Sequence, residues 1–212
     1  MTDTDKHYRA ICFDLDGTLL PMDIDEFMSA YFKRIAAFMA AQGVDAQAFM
    51  QALKAGTQEM AKHADERTNE QAFWDTFFPV YETAVGEPLT KAERAEIRAL
   101  SVRFYEEDFP HIGDGFNPNP ASAQVIDTLA AKGYPLVLAT MPMFPRAAVE
   151  HRLAWAGVDP KKFARITSYE NANSVKPRQT YFSEVLAAIG VPGKDVLMVG
   201  NNTMEDMAVL DL

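Results

Sequence analysis

Asp14 and Asp16 stand two residues apart at the end of an apolar run, in the stretch "AICFDLDGTLL" (10–20). A carboxylate can attack phosphorus and form an acyl phosphate. A second carboxylate two positions on can protonate a leaving oxygen and later activate water. Gly17 permits a tight turn that brings backbone N–H groups toward phosphoryl oxygens. Three distant stretches carry complementary chemistry. Thr140, followed by Met141, closes a second apolar run and offers a hydroxyl; Lys176 offers a cation; Asn201, Asn202, Glu205 and Asp206 follow the last apolar run. A lysine there would neutralise charge on nucleophile and phosphate. Carboxylates facing a phosphate dianion also need a cation between them, and oxygen ligands of this kind suit Mg2+.

These groups need elements to hold them. "YRAICF" (8–13), "YPLVLAT" (134–140), "FARITS" (163–168) and "DVLMVG" (195–200) are short apolar runs without alternation, the pattern of strands covered on both faces. Helical periodicity fills 121–133, 145–157 and 179–190, each ending on a glycine, with Pro145 in the first turn of the middle one. Strands alternating with helices predict an α/β fold built on a parallel sheet. Ligands of such sheets bind beyond the carboxyl ends of the strands, where all the residues above fall.

Residues 22–112 differ. They carry four helical patterns, 23–43, 46–64, 69–86 and 90–109, and almost no strand signal, with Thr90 as an N-cap. The spacing predicts a helical subdomain over 21–113 inserted into an α/β core formed by 1–20 and 114–212. Residues 110–120, rich in Gly, Pro and Asn, read as the return loop or hinge. Asp23, Asp25 and Glu26 answer a helix dipole. The cap aromatics Phe27, Tyr31, Phe32, Trp74, Phe77, Phe78 and Tyr81 read as core. His7, His63, His111 and His151 have no metal-ligand spacing and read as incidental. A last helix is expected to start near Thr203, with a further strand expected beyond it, so the chain reads as shorter than folds of this type.

"DLDGT" after an apolar strand, a Thr ending the second strand, "SVKP" and the late "VGNNTMED" together resemble the four motifs of the haloacid dehalogenase (HAD) superfamily. The resemblance extends over nearly the whole chain and implies a Rossmann-like HAD core with a helical cap. It implies that Asp14 is the nucleophile and a metal ligand. Asp16 would be the general acid/base and bind Mg2+ through its carbonyl, while Thr140 and Lys176 would hold the phosphoryl group. Family members that cleave carbon–halogen bonds lack an acid at the position of Asp16, so its presence favours phosphoryl transfer, with a phosphatase as the expected reading. A phosphomutase of the β-phosphoglucomutase type would share all four motifs, and a 2-haloacid dehalogenase fits less well. The fourth motif departs from the family: an amide, Asn201 or Asn202, replaces its first acid. Spacing favours Asn202, with Asp206, as the remaining metal ligands, and the lost charge weakens metal binding. A metal-impaired relative that binds without turnover is the alternative this leaves.

The net charge of −10 and the lack of a basic stripe disfavour nucleic acid as a partner. Cys12, the single cysteine, sits in an apolar run, which excludes an intrachain disulfide and a zinc cluster. No apolar run approaches membrane-spanning length and the N-terminus lacks a signal-peptide core. The expected setting is the cytoplasm and the expected partner a small phosphorylated metabolite; the oligomeric state is not readable.

Overall fold

The computed structural model describes residues 8–211. Four parallel strands, β1 (Ala10–Phe13), β2 (Leu136–Leu138), β3 (Arg165–Ile166) and β4 (Val196–Val199), form one sheet in the order β3-β2-β1-β4. The register pairs Cys12 with Val137 on one side and Met198 on the other. The chain leaves β1 toward β2 and β3, then returns to the opposite side of β1 for β4. The carboxyl end of β1 is therefore the point at which connections diverge, where an open sheet leaves a crevice. β1 and β2 are buried throughout. Ile11 and Phe13 pack with Val149 and Leu153, and Cys12 packs on the other face with Tyr181, Phe182 and Val185. This division follows the period-two alternation of a strand covered on both faces.

β2 and β3 are shorter than the apolar runs predict. Beyond Ala139, whose N–H still donates to the Phe13 carbonyl at 2.7 Å, the backbone leaves the ladder: the Thr140 carbonyl accepts hydrogen bonds from the Thr167 and Tyr181 hydroxyls, at 3.0 and 2.8 Å, in place of a strand partner.

Four helices fall between β1 and β2: α1 (Ile24–Ala41), α2 (Ala46–Lys62), α3 (Asn69–Val85) and α4 (Lys91–Arg103). Their starts follow local chemistry. Asp23 caps α1 by accepting from the Asp25 and Glu26 N–H groups, and Thr90 forms a reciprocal capping box with Glu93. Phe27, Tyr31, Trp74, Phe77, Phe78 and Tyr81 are buried in one aromatic cluster, while Phe32 is 39% exposed.

The expected loop over 110–120 is a correction. A wide π turn at Phe104–Asp108 runs into a 3-10 helix at Phe109–Gly115, and only 116–119 is loop. Phe109 is fully buried and stacks on Trp155 at 5.3 Å, and a Cβ on Gly113 would come within 2.2 Å of the Trp155 indole nitrogen. Aromatic packing there overrides the turn-forming composition.

Helices α5 (Pro120–Ala131), α6 (Arg146–Trp155) and α7 (Gln179–Ile189) complete the sheet layers. Pro145 lies just before α6 and not in its first turn; the Glu170 carboxylate accepts from the Arg146 N–H at 2.9 Å in place of a side-chain cap. The helix expected from Thr203 is also corrected. Asn202 caps a turn, and 3-10 helix begins at Met207.

Candidate functional site

Asp14 follows β1 directly, with its N–H bonded to the Val199 carbonyl at 2.9 Å. The chain then folds into a tight turn: Leu20 N–H reaches the Leu15 carbonyl at 2.9 Å, and Gly17 takes a φ of 81°. That φ is in the left-handed region that favours glycine, and space demands it as well. A Cβ on Gly17 would lie 2.3 Å from the Asn201 amide nitrogen.

Lys176 is buried at the centre of the site. Its Nζ donates to Asp14 Oδ1 at 2.7 Å and to Asp206 Oδ1 at 2.6 Å. Asp206 Oδ2 accepts from the Asn202 N–H at 3.0 Å, so both its oxygens are engaged within the protein. Among the described residues the partner of Asp14 Oδ2 is the Thr18 hydroxyl, at 3.3 Å, and that hydroxyl is equally close to Asn201 Oδ1. Burial raises the Asp14 carboxyl above its ordinary value; Lys176 pulls it down, and the neighbouring Asp206 and Asp16 charges add to the rise. Glu205 is raised too, mainly by burial.

Asp16 is held differently. Its Oδ2 pairs with Arg152 Nη1, from α6, while Oδ1 is buried without a partner. Arg152 is 1% exposed, and its guanidinium lies over the Phe144 ring at 4.7 Å. Thr140 is fully buried, and its hydroxyl has no hydrogen-bond partner among the described residues.

Asp14, Asp16, Gly17, Thr140 and Met141 border one pocket with Asn201, Asn202 and Glu205. Lys176 and Asp206 lie behind Asp14, beyond the pocket lining. The donor set is all oxygen, which fits a hard divalent cation in kind. Asp14 Oδ2 and Asn201 Oδ1, drawn together on Thr18, each have capacity to spare. Asn202, preferred on spacing, spends its Oδ1 on the Met204 and Glu205 N–H groups. Among the described residues no three His, Cys, Asp or Glu side chains are grouped as a metal cage.

Sequence reasoning missed Arg152. One signal was present: Ala148, Val149, Arg152 and Leu153 are the buried positions of α6, so the arginine occupies an apolar stripe. It also passed over His63, which is buried and bonds Asn69 Oδ1 through Nε2 at 2.7 Å. Asn69 Nδ2 donates to the Pro142 and Ser174 carbonyls, at 2.9 and 3.2 Å. The start of α3 is thus fastened to the loops that carry Met141 and Lys176. His111 meets Asp114 in solvent, His151 lies against the Phe109 ring, and His7 falls outside the described residues.

The family model for haloacid dehalogenase-like hydrolases matches residues 8–210, and the chain belongs to that family. Among solved structures, the fold is similar to that of YfnB from Bacillus subtilis, described as a HAD hydrolase bound to magnesium, at 19% identity and TM-score 0.54. That match covers 97% of this chain and 85% of YfnB. A HAD phosphatase from Thermococcus onnurineus matches at 18% identity and TM-score 0.52, over 96% of this chain and 82% of that one. A dehalogenase in complex with an intermediate matches at 16% identity and TM-score 0.50, over 96% and 81%. No curated protein matches in sequence. The chain is a HAD-superfamily hydrolase, and no helix among its described residues is long and apolar enough to cross a membrane.

Proposed function

We propose that this hydrolase cleaves a phosphate monoester of a small metabolite through an aspartyl-phosphate on Asp14. The observation that carries the reading is the second acid: Asp16 borders the same pocket as Asp14, with one oxygen held by a buried arginine and the other unpartnered. An alkoxide leaving group needs a proton, whereas a halide does not.

Asp14 Oδ2 attacks phosphorus as the bond to the ester oxygen breaks, and the Asp16 carboxyl supplies the proton that the alcohol takes away. Water then attacks the aspartyl-phosphate, Asp16 accepts its proton, and inorganic phosphate leaves with Asp14 restored. Lys176, fixed on Asp14 Oδ1, presents the other oxygen for attack, and the unpartnered Thr140 hydroxyl is positioned to donate to a phosphoryl oxygen. Arg152 aligns Asp16. Bound Mg2+ would offset the dianion's charge, with the Asp14 carboxylate, Asn201 Oδ1 and the Asp16 carbonyl as the residues to hold it. The helices α1–α4 act as a cap domain that selects the substrate.

The amides at 201 and 202 favour one second reading, a weak-metal relative that binds its ligand without turnover. Phosphate release from p-nitrophenyl phosphate, with and without Mg2+, beside Asp14→Asn, separates the two. The phosphatase reading expects Mg2+-dependent release that the variant abolishes. Release that survives in Asp14→Asn refutes it. An inactive wild-type chain that binds vanadate or phosphate supports the second reading.

A further inference from the structure

A second space adjoins the polar pocket. It encloses about 200 Å³ between α1, α2, α3 and the loop after β2, and Asp16, Ile24 and Met141 border both spaces. Its walls are apolar and aromatic, with Ile35, Phe49, Leu53, Met60, Phe73 and Trp74 among them. Most of the few polar groups on its walls have partners, and the unpartnered Asp16 Oδ1 and Arg152 Nη2 sit together at one end. Ser101 Oγ donates to the Ile97 carbonyl at 3.0 Å and Thr57 Oγ1 to the Leu53 carbonyl at 2.9 Å. The Tyr31 and Tyr105 hydroxyls pair with each other at 2.8 Å. The charges of Asp16 and Arg152 meet at one end.

We infer that the alcohol released by this enzyme is predominantly apolar. The inference rests on the phosphatase reading. An ester oxygen within reach of Asp16 leads its carbon skeleton toward the chamber. A sugar or polyol placed there would strip its hydroxyls of water and find free partners only at the Asp16–Arg152 end, not along the apolar walls. A hydrocarbon loses nothing and gains contact. A cavity of ~150 Å³ takes a benzene ring, so the chamber suits an alcohol of one ring or roughly six to eight carbons.

The test compares kcat/KM, with Mg2+, for benzyl phosphate against glycerol 3-phosphate and glucose 6-phosphate. At least a tenfold preference for benzyl phosphate is expected, and equal or reversed preference overturns the inference. A second arm needs neither phosphate nor metal. Benzyl alcohol should bind saturably, read by tryptophan fluorescence through Trp74, and Met28→Trp, which fills the chamber, should abolish that binding; Thr57→Phe replaces it if Met28→Trp does not fold. If no ester is hydrolysed, the phosphatase reading falls while this arm still decides the chamber. Saturable binding lost on filling supports an apolar ligand, and absent binding overturns it.

Discussion

Lys176→Met tests the electrostatic frame of the site most sharply. The ammonium group is buried with two carboxylates on it, at 2.7 and 2.6 Å, and the Asp206 side chain is 1% exposed. Removing one partner from a buried ion pair costs about 3–5 kcal/mol, because the charge left behind has neither water nor counter-ion. That is a large part of the 5–15 kcal/mol by which domains are typically stable. With a urea slope of about 2 kcal/mol per molar, the unfolding midpoint should fall by about 1.5–2.5 M at pH 7 in EDTA. Adding Asp206→Asn removes one uncompensated charge and should return part of the loss. The deficit should also shrink as the pH falls. Burial already raises the Asp14 carboxyl, and losing Lys176 removes the influence that lowers it. The folded state then binds a proton at a pH where the unfolded state does not, so acid favours folding. A deficit below about 1 kcal/mol, or one that neither the double variant nor acid reduces, would refute the reasoning.

Asp14→Asn should stabilise the metal-free protein at pH 7 while abolishing activity. The folded Asp14 carboxyl lies above 3.8, so its favourable contribution is present below that value and lost as the pH rises through the folded pKa. A gain on the order of 1 kcal/mol by urea titration is expected, and a loss contradicts it. Asp16→Asn should slow hydrolysis of an alkyl phosphate by about 10²–10⁴-fold but p-nitrophenyl phosphate far less, since nitrophenolate leaves without a proton. Equal losses on both esters count against Asp16 as the acid. Gly17→Ala combines a φ of 81° with a Cβ 2.3 Å from the Asn201 amide. It should cost about 1–3 kcal/mol of stability and reduce activity, measured in one preparation. Cys12 is 4% exposed and its thiol is pushed up to about 12, so it should resist a disulfide reagent in the native protein and react after unfolding.

Much of this molecule is legible in its sequence. The apolar runs marked the strands, the glycine and Thr90 signals bounded several helices, and the order of the motifs announced the family that the model match over 8–210 establishes. The misreadings share one physical origin. Gly113 and Pro110 look like loop residues locally, yet they sit in a 3-10 helix because Phe109 and Gly113 pack against Trp155, far along the chain. The helix expected at 203 gives way to a turn and a 3-10 helix from Met207, and Asp206, within that turn, is held by Lys176 from a distant loop.

Composition and spacing therefore determined the element types, the insertion of four helices between β1 and β2, and the acids and cation at the strand ends, since these depend on local propensity and periodicity. Tertiary structure decided which partners those groups keep. It turned Asn201 toward Thr18 and spent Asn202 on a turn; it closed Asp206 onto Lys176 and bound Asp16 to an arginine 136 residues away. Such pairings depend on through-space distance and on the loss of water at buried charges, neither of which is encoded in residue spacing.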